Sequence, residues 1–114
     1  MPELELELEL RKYSFDGNEI ISLNYSTAFN SVQNRLANKL NSFIEDIDLG
    51  VPIDNDMMDL NMIRRTIFLP YDYDRCAKKL KDELEEKLVP FLRENYAKEF
   101  SSYEPITLTV ALEG

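Results

Sequence analysis

Six carboxylates lie close together in residues 45–59, a stretch that reads EDIDLGVPIDNDMMD and contains no basic residue. Clustered carboxylates either bind a hard cation through their oxygens or attract a basic protein surface by their charge. The stretch also contains two methionines, which add adaptable apolar contacts. The candidate residues of this stretch are Glu45, Asp46, Asp48, Asp54, Asp56, Met57, Met58 and Asp59.

The cation alternative has little support from the spacing. Asp46-x-Asp48 and Asp54-x-Asp56 each begin like a calcium-binding loop, but neither continues with the required glycine and the distal glutamate. The chain has no histidine, which removes imidazole metal ligands and the Ser-His-Asp and Cys-His catalytic arrangements. Its three glycines are scattered, so there is no glycine-rich phosphate loop. We therefore expect no metal, no cofactor and no enzymatic activity.

The overall charge indicates which partners are favoured. The chain has 22 acidic and 13 basic residues, a formal net charge of −9. A field of that sign repels nucleic-acid phosphates and anionic lipids, and it attracts basic surfaces. Many soluble proteins are acidic simply because charge prevents association, and this alternative remains open. We expect no direct binding of nucleic acid and no membrane association.

A second motif repeats the pairing of acids with adaptable or aromatic contacts. Tyr71 and Tyr73 alternate with Asp72 and Asp74, and tyrosine is a favoured residue at the energetic centres of interfaces. Together with residues 45–59, these tyrosines predict a binding site for a protein with a basic surface. An acidic strip of this kind suits a groove made for nucleic acid, which is the physical logic of inhibitors of nucleases, restriction enzymes or CRISPR effectors and of toxin-neutralising immunity proteins. Our main hypothesis is a small, non-enzymatic acidic inhibitor.

Two other functions are compatible with the sequence. The chain is also typical of a homo-oligomeric structural or assembly protein of a virus or mobile element, in which residues 4–10 and 106–112 extend a sheet between copies. The third hypothesis is a protein that sequesters a small anionic ligand through Arg64 and Arg65 with nearby tyrosines.

The elements that position these residues begin with a strand. Residues 3–10 read ELELELEL, and this strict alternation predicts a strand with its leucines buried and its glutamates in water. Because the glutamates on one face of this strand repel each other, we expect neutral side chains beside them. Thr107 and Thr109 would be suitable neighbours if the last strand pairs with the first. Because Tyr13 and Phe15 break the alternation, we expect a β-bulge near residues 11–12.

The rest of the chain predicts one more hairpin strand, two helices and two further strands. Asp16-Gly17 predicts a two-residue hairpin turn. An apolar stripe over residues 29–47 predicts a helix, and residues 62–69 predict a strand ended by Pro70. A second helix carries Cys76 on its apolar face and should kink or break near Pro90. Residues 106–112 alternate again as a last strand.

These elements predict an α+β fold of order β-β-α-β-α-β. We expect a mainly antiparallel four-stranded sheet with two helices on one face, forming one domain over residues 1–114. The acidic connection, residues 45–61, then joins the two halves of the domain. A single cysteine, the absence of a recognisable signal peptide and the absence of a long apolar run favour a cytoplasmic location.

Overall fold

The computed structural model describes residues 1–50 and 65–113. The order of long elements agrees with the prediction, with one short extra helix before the last strand. Within these ranges, no helix is both long enough and apolar enough to cross a lipid bilayer. The elements are β1 (Leu4–Phe15), β2 (Asn18–Thr27), α1 (Asn30–Asp46), β3 (Thr66–Asp72), α2 (Tyr73–Asn95), α3 (Ala97–Phe100) and β4 (Ile106–Glu113).

The four-stranded sheet is mixed, so the prediction of a mainly antiparallel sheet is wrong. Its order is β3-β2-β1-β4, with β1 antiparallel to β2, β2 antiparallel to β3, and β1 parallel to β4. The parallel pair follows from the connection. A single long helix between β3 and β4 returns the chain to the same end of the sheet, so β4 runs in the direction of β3 and therefore of β1.

The hairpin is regular throughout its length. Asp16 and Gly17 have φ values of 51° and 80°, which confirms the predicted two-residue turn. The pairing runs without a shift from Leu6 opposite Thr27 to the turn, so the predicted bulge is wrong. The phase of the side chains therefore never changes, and Tyr13 stays on the same face as the glutamates of β1.

The other face of the sheet is buried under the helices. The leucines of β1 are between 0% and 3% exposed and share one hydrophobic cluster with the buried side chains of α1 and α2. Each such side chain stabilises the fold by roughly 1.5–3 kcal/mol through the apolar surface removed from water. These leucines are Leu4, Leu6, Leu8 and Leu10.

We call the opposite side of the sheet the open face. It carries Glu5 and Glu7, which are exposed, and Tyr13, which is 44% exposed. Glu5 pairs with Thr107 and Glu7 with Thr109, which confirms the predicted neutral neighbours on the adjacent strand. The like charges of β1 are thus separated from other acids on the β4 side by hydroxyl side chains.

Helix α2 packs against the buried face of the sheet. Asp72 caps α2 by accepting a hydrogen bond from the N–H of Arg75 at 3.2 Å. The helix continues through Pro90 as one element, so the chain does not break there. Pro70 lies inside β3 rather than ending it, which an edge strand tolerates. Since α2 packs against all four strands, it spans the sheet from β3 to β4.

A candidate protein-binding groove between two helices

A groove lies between the C-terminal end of α1 and the C-terminal half of α2. Its cavity measures about 320 Å³, which is room for one or two large side chains. The residues that line it are Phe43, Asp46, Ile47, Glu86, Lys87, Pro90, Phe91 and Glu94.

The floor of this groove is apolar. The rings of Phe43 and Phe91 meet edge to face with centroids 5.3 Å apart, and Phe91 also contacts Tyr96 at 6.0 Å. Phe43 is 3% exposed and belongs to the core. Phe91 and Ile47 are half-buried, and Pro90 is exposed. The core therefore reaches the surface here and offers an apolar side chain a place to pack.

The rim of the groove is negatively charged. Asp46, Glu86 and Glu94 are exposed, and none of them forms an ion pair with another residue in ranges 1–50 and 65–113. Among the described residues that line the groove, the one cation is Lys87, and its Nζ already lies 2.8 Å from a carboxylate oxygen of Glu83. Within this part of the chain the three rim carboxylates are therefore not neutralised and can attract a cation of another molecule.

The end of α1 places acids where a helix disfavours them. Glu45 and Asp46 are its last two residues, and its last turn contains no basic residue. The C-terminus of a helix carries a partial negative charge, so each carboxylate there costs about 0.3–1 kcal/mol. Glu94 lies in the last turn of α2, although Arg93 in the same turn partly offsets it. A cation in the groove would relieve this repulsion.

Only the beginning of the predicted acidic stretch lies in the described residues. Glu45, Asp46 and Asp48 are exposed, and Asp46 lines the groove. Asp48 accepts a hydrogen bond from the N–H of Gly50 at 2.8 Å, which closes a local turn. The predicted role of the remaining residues lies outside the described ranges and stays a prediction; they are Asp54, Asp56, Met57, Met58 and Asp59.

Tyr71 and Tyr73, the two predicted aromatic anchors, lie in the core. They are 5% and 8% exposed and belong to the hydrophobic cluster, so they present little surface to a partner. Burial raises the pKa of the Tyr71 hydroxyl, and the charges of Cys76 and Asp48 add to this effect. Cys76 is fully buried, as predicted for a core residue, and burial also raises the pKa of its thiol.

The predicted anion-binding arginines are also partly described. Arg65 has a left-handed backbone with φ of 65°, and its Nη1 lies 3.5 Å from Oε1 of Gln33. It borders a cavity of about 440 Å³ on the open face, which Glu7 and Glu9 also line. Two carboxylates in the same wall oppose an anion, so this cavity gives the ligand hypothesis no support. Arg64 lies outside the described ranges.

Sequence reasoning did not identify the α2 side of the groove. Glu86, Pro90 and Glu94 are spaced by four residues, which places them on one face of a helix. That spacing was an available signal. It was hidden because the many lysines and glutamates of α2 predict an ordinary solvated face with compensating charges.

Comparison with protein-family models, with curated proteins and with solved structures gave no match.

Proposed function

We propose that the groove between α1 and α2 binds a segment of another protein in which an apolar side chain is flanked by lysine or arginine. The observation that supports this is the combination of an accessible apolar floor with a rim of three carboxylates that no described cation neutralises. The apolar side chain would pack on Phe91, and the flanking cations would lie against Asp46 and Glu94. The protein would then be a non-enzymatic binding module.

The class of partner follows from the sign of the charge. Proteins that handle nucleic acid bind phosphates with clusters of lysine and arginine, and such a cluster is complementary to an acidic rim. The net charge of −9 increases the rate of encounter with a basic surface. A module that covers those cations competes with nucleic acid for them. We therefore propose that the protein inhibits a nuclease, defence effector or toxin of this kind.

A peptide titration tests the position of the site. The probe is a short peptide with one phenylalanine between pairs of arginines, and its control has glutamines in place of the arginines. We expect amide NMR shifts to change around Ile47, Phe91 and Glu94 with the basic peptide, and to change little with the control. Shifts centred on Glu5 and Glu7 would place the binding on the open face instead and contradict the proposal.

Two matched double variants separate local charge from net charge. Asp46→Lys/Glu94→Lys and Glu5→Lys/Glu7→Lys alter the net charge equally, but only the first alters the groove. At about 50 mM salt we expect the groove variant to lose at least roughly tenfold in affinity for the basic peptide. The open-face variant should lose at most about threefold, from long-range attraction alone. Equal losses would mean that net charge, rather than the groove, determines binding.

The inhibitory part of the proposal needs the natural partner. Wild-type and variant proteins serve as baits in cell extract at about 50 and about 300 mM salt, since screening weakens exposed charge pairs over that range. A partner retained by the open-face variant and lost by the groove variant is then purified. We expect the wild-type protein to displace a fluorescent oligonucleotide from that partner. A partner that binds oligonucleotide and this protein together would contradict inhibition by competition.

A further inference from the structure

The two edges of the sheet differ in how well they are protected against pairing with another strand. The edge strand β3 has seven residues, contains Pro70, and pairs irregularly with β2 between Ile20 and Ile21. Prolines and bulges of this kind are the usual devices that prevent edge-to-edge association. The other edge strand, β4, has no proline, no charge before Glu113 and an uninterrupted register with β1.

The backbone groups on the free side of β4 can be assigned. The N–H of Leu4 in β1 donates to the carbonyl of Pro105 at 3.0 Å. Because successive residues of a strand direct their N–H and C=O groups to alternate sides, Thr107 and Thr109 also face β1. The residues whose N–H and C=O groups point to the free side are therefore Ile106, Leu108, Val110 and Leu112. The described elements with substantial contacts to β4 are β1, which lies on its other side, and α2, which packs under the sheet.

Three of these four residues have incompletely buried side chains, whereas Val110 is only 6% exposed. Leu112 is 40% exposed, and Ile106 and Leu108 are half-buried, although they lie on the helix-covered side of the sheet. Their neighbours on β1, Leu4 and Leu6, are 0% and 1% exposed. The apolar layer under the sheet thus stops short of complete coverage along this one edge.

We propose that β4 pairs with β4 of a second copy of the chain, antiparallel about a two-fold axis at Thr109. In this register Leu108 lies opposite Val110 of the other copy, and Ile106 lies opposite Leu112 of the other copy. All four present their backbone groups to the free side, so each opposed pair exchanges two hydrogen bonds. The result is one continuous eight-stranded sheet with the helices of both copies on the same side.

The occupant is a second copy because the strand is complementary to itself. In the dimer, the side chains of β4 from Ile106 to Leu112 pack against the same side chains of the second copy, whose β4 runs in the opposite direction. The acidic rows of the two β1 strands do not oppose this pairing strongly. They are separated by three strand spacings, roughly 14 Å, which exceeds the screening length of about 8 Å at physiological salt. A neutral strand also offers nothing that would select the basic partner proposed for the groove.

Two lysine substitutions test the register as well as the contact. Thr109→Lys places two lysines directly opposite each other across the axis, whereas Thr107→Lys places each lysine opposite Ala111 of the other copy. Both positions neighbour a glutamate within the chain, Glu7 for Thr109 and Glu5 for Thr107, so both variants should fold. We expect sedimentation equilibrium to give twice the chain mass of 13.4 kDa for the wild type. Thr109→Lys should raise the dissociation constant roughly fivefold or more, and Thr107→Lys less than about twofold.

Hydrogen exchange of the wild-type protein gives a test that needs no variant. The N–H groups of Leu108 and Val110 should gain protection as protein concentration rises, while those of Thr107 and Thr109 are protected by β1 at every concentration. A wild-type protein that stays monomeric with Leu108 and Val110 unprotected overturns the proposal. So does a dimer that tolerates Thr109→Lys as well as Thr107→Lys. The groove variants should leave this dimer intact, so the two proposals can fail separately.

Discussion

The groove and the open face are both acidic, but their carboxylates have different surroundings. On the open face Glu9 is paired with Arg11, and Glu7 accepts a long hydrogen bond from the hydroxyl of Ser26 at 3.5 Å. In the groove, Asp46 and Glu94 have no such described partner and flank the accessible ring of Phe91. A count of acidic residues would not favour the groove, because the open face carries Glu5, Glu7, Glu9 and Glu113. What distinguishes a candidate site is unmatched charge beside uncovered apolar surface.

The open face also has an apolar area, near the hairpin turn. Its side chains largely cover one another and the strand between them. The rings of Tyr13 and Phe68 lie 4.7 Å apart although their strands are on opposite sides of β2. Ile20 and Ser22 of β2 lie between those strands on the same face and are only 6% exposed. The ring pair therefore covers β2, whereas the groove leaves its floor accessible to a partner.

Truncating one ring in each region gives the largest expected difference. We expect Phe91→Ala to cost about 3 kcal/mol, the lower end for a phenylalanine, because a half-buried ring contacts two other rings and leaves a cavity against the core. Phe68→Ala should cost about 1 kcal/mol, since it removes one ring contact on the open face. Chemical denaturation of both variants measures the two losses. Equal losses of stability in the two variants would show that Phe91 is no more a part of the core than Phe68 is.

Removing one carboxylate from each side of the sheet gives the next largest effect. On the helix side, a carboxylate oxygen of Glu99 lies 2.9 Å from Nζ of Lys39. Lys39 is only 6% exposed, and its Nζ also lies 4.9 Å from the centre of the Tyr96 ring. We expect Glu99→Gln to cost about 2 kcal/mol, because it leaves a buried ammonium without its counter-charge. On the open face, Glu7→Gln should change the stability by less than about 0.5 kcal/mol. Thermal unfolding of the two variants tests this, and a loss at Glu7 as large as that at Glu99 would be inconsistent with it.

A substitution at the groove should raise stability while it lowers binding. Asp46→Lys replaces an unfavourable charge at the end of α1 with a favourable one, so we expect a gain of about 1 kcal/mol in the free energy of unfolding. The same substitution should weaken binding of the basic peptide. Asp46→Asn is the control and should give about half of the gain. If Asp46→Lys destabilises the protein, Asp46 has a structural role that the repulsion argument misses.

The smallest expected effect concerns acid stability on the open face. The hydrogen bond from Arg11 is the main reason that the pKa of Glu9 lies below its ordinary value of 4.5, with a smaller contribution from Asn24. A lowered folded-state pKa contributes stability that is present above the unfolded value and is lost as the pH falls through the folded value. In Arg11→Gln, we expect the Glu9 pKa to return towards 4.5.

Two measurements check this effect. NMR titration of the Glu9 carboxyl carbon follows the pKa, and denaturation at about pH 7 and about pH 3 follows the stability. The variant should lose roughly 0.5 kcal/mol less than the wild type on acidification, a small value because the pair is largely exposed. If the pKa of Glu9 is unchanged in the variant, Arg11 is not the cause of its lowered value.

The sequence predicts local structure better than it predicts how the elements are arranged. The Glu-Leu alternation and the Asp16-Gly17 turn are each determined by neighbouring residues, and both are confirmed. The direction of β4 depends on the crossover through α2, which is not a local property. The supposed bulge at residues 11–12 rested on treating Tyr13 as a core residue, although the structure places it on the open face.

The groove illustrates the same limit. Asp46 was predicted from a run of acids, but its neighbours Glu86 and Glu94 lie 40 and 48 residues further along the chain. Only the packing of α1 on α2 brings them together around Phe91. Tyr71 and Tyr73 have the residue type of an interface, yet Tyr71 lies in β3 and Tyr73 begins α2, and both are in the core. Residue type alone does not distinguish an anchor from a core aromatic.

The pairing of β1 with β4 has a consequence for the folding pathway. Leu4 lies beside Ile106, so this contact closes a loop of about one hundred residues. The hairpin of β1 and β2, by contrast, needs only a two-residue turn. Contacts of high sequence separation form late, after local structure has offset part of the entropy of closure. We therefore expect a transition state in which the hairpin is formed and β4 is still undocked, so that substitutions in β4 mainly accelerate unfolding.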